Sequence, residues 1–404
     1  MAQNTSAHGP IKACLAAALA AILAATPSLE AQDATTTGAA PALSPLPRPE
    51  DPATPQKSTS PMPAAERSWL FEALPENFSS RAYRDSIEKL FNAFEQHTGK
   101  SLAPAKKRKA VIKINTAAGA GLFTPQPLVT AVIRALLQRG YPSDGILVVD
   151  LSERRIRECG YPCVGEQYPV LTPGIPLKIL ADFPVHPLDS EKYYSPRWAV
   201  ESPLPSREIT AKQGDYTGNL EILEKARRSS LPAPLFEDAD LWISLPVAMD
   251  SPSLGVSCAL ANETIWNVSN QRRFLENPIA TPEAAIEIAR TLEGSRPETL
   301  VLHVLSLEKW QYTGGPVFNS NYTASEKRLW LSANPVILDA LMLQRINKAR
   351  EYNKFPPITP APSMFTKANS LPQKEITPAI ALGSPNPSEI TLVQVDKPPA
   401  TTKK

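Results

Sequence analysis

AVIKINTAAGAGLFTPQPLVTAVIRALLQRGYPSDGILVVD, residues 110–150, is the stretch from which the fold can be read. Ala110 to Asn115 is a short apolar run interrupted by one lysine, the length of a strand buried in a sheet. Gly119 and Gly121 supply a flexible turn after it. Pro127 suits the first turn of a helix, and Leu128, Val129, Val132, Ile133, Leu136 and Leu137 give that helix an apolar face as far as about Gln138. Gly140 ends it, and Ile146 to Val149 forms a second strand that finishes at Asp150. Strand, helix and strand in this order make a β-α-β unit, with parallel strands and a right-handed crossover.

The same alternation continues on both sides. Towards the N-terminus, Ser79 and Ser80 are capping residues for a helix with Ile87, Leu90, Phe91 and Phe94 on one face. Towards the C-terminus, a helix over Asn219–Arg228 leads to a strand at Leu241–Leu245, closed by Pro246. A helix over Pro282–Leu292, a strand over Thr299–Leu305 and an amphipathic helix over Pro335–Arg350 follow. Cys159 to Ser206, rich in proline and aromatics, reads as loops over the sheet. The alternation predicts one α/β domain, residues 67–355, with a mainly parallel sheet flanked by helices.

Outside that body the composition changes. Ala13 to Ala25 is unbroken and apolar, preceded by Lys12 and too short to span a bilayer, so residues 1–31 read as a secretory signal. The mature chain is expected to begin near Gln32, to be exported, periplasmic or secreted, and to keep no transmembrane segment. Residues 32–66 hold 8 prolines and no aromatic, and residues 356–404 hold 10 prolines with Phe365 as the one aromatic. Neither segment has the apolar surface to offset its ordering entropy, so both are expected to be disordered tails. A formal charge of +2 over 404 residues argues against nucleic acid as a partner. The run Lys106–Lys109 accordingly reads as a solvated approach to a strand. Once Cys14 has left with the signal, Cys159, Cys163 and Cys258 remain. The first two would close a small loop in an oxidising compartment, or all three stay as buried thiols.

Motifs for chemistry are sparse. Gly119-Ala-Gly121 departs from a dinucleotide fingerprint at two points. Thr124 stands where the third glycine belongs, and Asp150 lies too far beyond for a ribose-binding acid. His97, His186 and His303 are too scattered to form a metal triad or a catalytic dyad by spacing. What remains is polar residues at the ends of core strands, where open α/β sheets build their pockets. Lys113 and Asn115 share one face of the first strand, Asp150 ends the second, and Asn262 and Asn267 follow the strand at Leu241. Gln311 and Tyr312 stand beside Gly314-Gly315, where backbone can approach a ligand closely. Asp339 lies at the start of the last helix. Asn115, Asp150, Asn262 and Gln311 are expected to converge at the C-terminal edge of the sheet.

In order along the chain, Lys113-Ile-Asn115, Gly119-Ala-Gly121-Leu122, Pro246, Gly255-Val-Ser257, Ala261-Asn262, Gln311-Tyr-Thr-Gly-Gly-Pro316 and Asn334-Pro-Val-Ile-Leu-Asp339 resemble the motifs of the bacterial domain-of-unknown-function family 362. The resemblance spans roughly residues 110–350. It implies an α/β domain and, from the family's usual basic residues, a small anionic ligand. No iron–sulfur cofactor is implied, because the ferredoxin-type cysteine clusters of some members are missing. The charged positions depart from the pattern. The family's Lys-x-His is Ala248-Met-Asp250, the Lys of its Lys-Asn pair is Ala261, and its later His is Leu275. Two of its aspartates are Ser306 and Asn334. Glycines, prolines and asparagines that set shape remain, while groups fit for acid–base or electrostatic catalysis are replaced. Two readings stay open: an exported, non-catalytic or degenerate small-ligand-binding protein, and an enzyme acting on a small anionic substrate.

Overall fold

The protein is described here from a computed structural model, which covers residues 66–164, 177–188, 194–201, 228–232, 235, 238–269, 271, 280–358 and 382–396. Numbered in chain order, eight strands form one sheet. Across it stand β14 (Thr391–Gln394), β1 (Trp69–Ala73), β13 (Leu329–Ser332), β10 (Leu300–Ser306), β7 (Leu241–Ser244), β2 (Ala110–Lys113), β3 (Ile146–Asp150) and β4 (Val185–Pro187). Every neighbouring pair is parallel except at β13, which runs against both β1 and β10. The sheet is therefore mainly parallel, and β2 and β3 are the paired strands of the β-α-β unit read at residues 110–150.

Side chains alternate between the two faces along each strand, and different helices cover each face. On the first face, Ile112, Ile243, Leu302 and Leu331 pack with α1 (Ser80–Thr98) and α2 (Gln126–Gln138). The α1 helix starts where expected, since Ser79 Oγ accepts from Ala82 N at 3.3 Å. It buries Ile87, Leu90, Phe91 and Phe94. On the second face, Val111, Val149, Trp242 and Val301 meet a short helix, α5 (Ala259–Glu263), and α6 (Ala280–Ser295). The last helix, α7 (Pro335–Tyr352), is capped by Asn334 and packs Ile337, Leu338 and Met342 against Leu305 and Trp330. A second sheet has the order β12 (Thr323–Ala324), β11 (Trp310–Gln311), β8 (Met249–Ser251) and β9 (Gly255–Ser257). It takes over from β7 past that strand's C-terminal end.

The structure differs from the sequence reading in two regions. Within Cys159–Ser206, expected as loops, lie α4 (Leu177–Asp182), the edge strand β4 and β5 (Tyr194–Glu201), which pairs with β6 (Arg228–Pro232). A short helix, α3 (Glu153–Glu158), precedes that region. The helix expected over Asn219–Arg228 falls outside the described residues, save Arg228, which opens β6. In the C-terminal tail, residues 382–396 fold onto the body. Leu382 is buried in the second-face core, Asn334 Nδ2 donates to Ser384 O at 3.0 Å, and β14 pairs in parallel with β1. Proline content averaged over the tail hid a four-residue strand whose order comes from its partner β1 rather than from its own composition. The signal, residues 1–31, lies outside the described residues. No described helix is long and apolar enough to cross a membrane.

Candidate functional site

One row of the second face is polar. Lys113 stands beside Ser244, Ser244 beside His303, and His303 beside Ser332, on four adjacent strands. All four are buried. The α5 helix lies over the row and lowers two consecutive side chains, Asn262 and Glu263, onto it. Asn262 serves the end of the row at β2 and Glu263 the end at β10. A buried polar layer results, with two halves of different character.

The half at the C-terminal ends of β2, β3 and β7 is saturated. Lys113 Nζ donates to Asp150 Oδ1 at 2.6 Å, to Ile114 O at 2.6 Å and to Asn262 Oδ1 at 3.3 Å. An ammonium has three N–H donors, and all three are used. Asp150 Oδ1 also accepts from Leu151 N at 2.8 Å, while its Oδ2 accepts from Thr116 N at 2.8 Å and Thr116 Oγ1 at 2.6 Å. Asn115 Nδ2 donates to Asn262 Oδ1 at 3.0 Å, and Asn262 Nδ2 donates to Ser244 Oγ at 2.9 Å. Asn267 Nδ2 donates to Asn262 O at 2.9 Å, which fixes the turn after α5. Burial pulls the Lys113 ammonium below its ordinary pKa, and the Asp150 carboxylate opposes that pull. With a carboxylate at 2.6 Å this is a charge-assisted pair, closed to solvent.

The other half is charged and incompletely bonded. Glu263 Oε1 lies 3.4 Å from Arg296 Nη2, and its Oε2 lies 3.6 Å from His303 Nε2. Arg67 Nη2 donates to Glu293 Oε1 at 2.6 Å. Arg296 stacks over Trp242, 4.5 Å from the ring centroid. Burial, with Arg67 and Arg296 nearby, takes the His303 imidazole down to about 3, so it is neutral. Burial raises Glu263, against the pull of Arg296, and raises Glu293 to about 6. Arg67 and Arg296 precede β1 and β10, so this half reaches towards the opposite end of the sheet from Asp150.

The remaining sequence candidates lie apart from both halves. Gln311 N donates to Ala248 O at 3.1 Å. Its side chain clamps the turn that follows, with Nε2 donating to Val317 O at 3.0 Å and Oε1 accepting from Asn319 N at 2.7 Å. Val247 and Met249, with Ala118, Leu122 and Phe318, form an apolar cluster at the turn after β2. Asn115, Asp150 and Asn262 thus share one network, and Gln311 belongs to another. Asp250 Oδ1 accepts from Gly315 N at 2.9 Å, and the approach explains the glycine: a Cβ at residue 315 would lie 2.0 Å from Asp250 O. Tyr312 packs its ring against Tyr322 and Phe355. Gly119, with φ at +89°, faces Arg155, whose Nη1 would lie 3.0 Å from a Cβ there. Phe318 occupies the space beside Gly121, where a Cβ would come within 1.9 Å of its ring. Asp339 Oδ1 accepts from Ala259 N at 2.6 Å, anchoring the start of α5. Its Oδ2 has no partner among the described residues, and burial pushes this carboxyl up to about 8. Cys159, Cys163 and Cys258 are buried, and no disulfide joins any of them.

Sequence reading missed Thr116, Ser244, Glu263, Glu293, Arg296 and Arg67. One signal was available: His303 interrupts the apolar strand LVLHVLS, and Ser244 ends LWIS beside it. A polar side chain inside a core strand needs a buried partner. Among the described residues, no group of three or more His, Cys, Asp or Glu is placed to hold a metal ion.

No family profile and no curated protein sequence matches the chain. A crystal structure of a Thermotoga maritima protein, solved as a structural-genomics target, is similar at 12% identity and a TM-score of 0.34. The match covers 68% of this chain and 59% of that one, so the chain spans well under two thirds of that protein. Likeness at this level bears on neither fold nor activity.

Proposed function

We propose that this is an exported, non-catalytic protein whose domain is similar to family 362 and whose sheet-edge site is filled by its own side chains. The observation that carries the reading is the saturation of Lys113. A cation that binds or activates a small anionic substrate keeps at least one donor free for it, and Lys113 spends all of its donors on Asp150, Ile114 O and Asn262. Asp150 is equally occupied and has no lone pair left to act as a base. The positions where the family pattern has further charges support the same view. Ala248 and Ala261 are buried among apolar neighbours, and Asp250 is committed to Gly315 N. The resemblance and the apolar segment Ala13–Ala25 are what support family and export.

Native-state acetylation of lysines, read by peptide mass spectrometry, tests the site. Lys113 is expected to stay unmodified until the protein unfolds, while the exposed Lys106 and Lys109 react at once. Rapid acetylation of Lys113, slowed by phosphate or a small carboxylate, would restore the alternative reading of an enzyme for a small anionic substrate. Export has its own measurement. The mass of the chain isolated from its native cells is expected to place the first residue near Gln32, and a chain retaining Met1 contradicts it.

A further inference from the structure

We infer that the incompletely bonded half of the polar layer is a binding site for a small carboxylate, entered beside Arg67 and Glu293, and that binding is coupled to protonation of Glu293. Unused donors are the first ground. Among the described residues, Arg67 Nε and Nη1, Arg296 Nη1 and Trp242 Nε1 are buried nitrogens with no partner, and His303 Nδ1 is unpaired as well. An unpaired buried donor costs its full desolvation, so a set of them in one cluster marks a place where acceptor oxygens belong. Most of these atoms are guanidinium N–H groups, whose planar fork matches a carboxylate. The cluster comes nearest to solvent at Arg67 and Glu293. The Arg67 and Glu293 side chains keep 9% and 15% of their surface in solvent, against 1% for Arg296 and His303.

Charge explains the proton. The groups that face Glu293 are Arg67 ahead of β1, Glu263 on α5, Arg296 after α6 and, across Glu263, His303 on β10. With both glutamates ionised and His303 neutral, the two arginines are already balanced. A bound carboxylate then adds an uncompensated buried negative charge unless a glutamate takes a proton. Glu293 is the better placed, being nearer solvent and already raised to about 6. The bound state contains two arginines, Glu263 as carboxylate, Glu293 as acid and the ligand anion, and is again neutral.

The experiment follows thermal unfolding of the full chain in sodium formate against sodium chloride at matched ionic strength. At pH 5.5, formate is expected to raise Tm saturably above chloride, by the amount that ligation of the native state alone produces. Above pH 6, apparent affinity should weaken by about tenfold per pH unit, as one coupled proton requires. Glu293→Gln copies the protonated acid and should bind formate at pH 8 as well as at pH 5.5. Arg67→Gln should abolish the shift at pH 5.5. No formate-specific shift in either the native chain at pH 5.5 or the Glu293→Gln variant at pH 8 overturns the site and leaves the donors to water. An undiminished shift in Arg67→Gln overturns its location, and a shift independent of pH in the native chain overturns the proton coupling.

Discussion

The two halves of the polar layer lie under one five-residue helix and next to each other on neighbouring strands of one sheet, yet they are built in opposite ways. Around Lys113 and Asp150 every charged atom has a short, specific partner. Around Glu263 and Arg296 the contacts are 3.4 and 3.6 Å long, and three guanidinium nitrogens of Arg67 and Arg296 have no partner among the described residues. Position within the sheet accounts for part of the difference. Strand ends of a parallel sheet offer backbone groups to bond, and the first half uses Ile114 O, Leu151 N and Thr116 N. The second half runs across mid-strand, where His303 has its backbone committed to neighbouring strands. Its charges have only other side chains to meet. A buried ion pair is worth little in itself, so the first half reads as a lock on geometry, and the second as a place left incomplete.

The largest test concerns the helix that roofs both halves. Asp339 anchors α5, and its folded pKa of about 8 stands above the unfolded value of 3.8. A raised carboxyl stabilises the fold fully below its unfolded pKa, and that contribution is lost as pH rises through about 8. Asp339→Asn, which keeps an acceptor for Ala259 N, should lack this dependence and exceed the native protein by up to ~5 kcal/mol above pH 9. Urea unfolding from pH 4 to 9 gives the comparison. Parallel curves for the two proteins would mean that Asp339 is ionised throughout.

Cutting the saturated half comes next. Lys113→Ala strands Asp150 as an uncompensated buried charge and should cost ~3–5 kcal/mol in the same assay, whereas the paired change Lys113→Met with Asp150→Leu should recover most of it. A single-variant loss near zero would show that water reaches the pair, and the contrast between the halves would fall. In the other half the corresponding effect is smaller and opposite in sign. Glu293, raised from 4.5 to about 6, contributes stability below its unfolded pKa that is lost as pH rises through 6. Glu293→Gln should therefore gain ~2 kcal/mol at pH 8 and nothing at pH 4. The smallest expected effect calibrates the rest. Lys89 and Asp396 form an ion pair at 2.7 Å with the lysine half in solvent, so Lys89→Ala should cost no more than ~1 kcal/mol.

Much of this architecture is legible in the sequence. Residues 110–150, α1 and α7 declare themselves because their apolar positions recur at helix or strand spacing over long enough runs. Lys113, Asn115, Asp150 and Asn262 could be named as polar residues at strand ends. That Asn115, Asp150 and Asn262 would converge followed from those positions, but the Lys113–Asp150 contact did not, since it depends on β2 and β3 being neighbours in register. The strands β1 and β13 are short and polar-flanked, and β14 lies inside a proline-rich segment, so none carries a periodic signal of its own. The Arg67, Glu263, Glu293 and Arg296 cluster was invisible for a further reason. Charged residues near element ends are ordinary at the surface, and only the packed sheet and helices bury Arg67, Glu263 and Arg296 and leave Glu293 part-buried. Gln311 was the reverse case: the glycine pair beside it suggested a ligand, and the neighbour it serves is its own loop.

The placement of β1 has a consequence for how the molecule forms. This strand emerges early in synthesis, but the strands it pairs with lie about 260 and about 320 residues further along, the kind of sequence separation that slows folding. Until β13 arrives, β10 also lacks a neighbour on that side, and both strands present open edges able to recruit another chain. The β-α-β region can assemble from local contacts while β1 waits on α1. Completion of the sheet then depends on the C-terminal residues 391–394, so a chain shortened by a few dozen residues at that end would keep its core helices and expose β1 to aggregation.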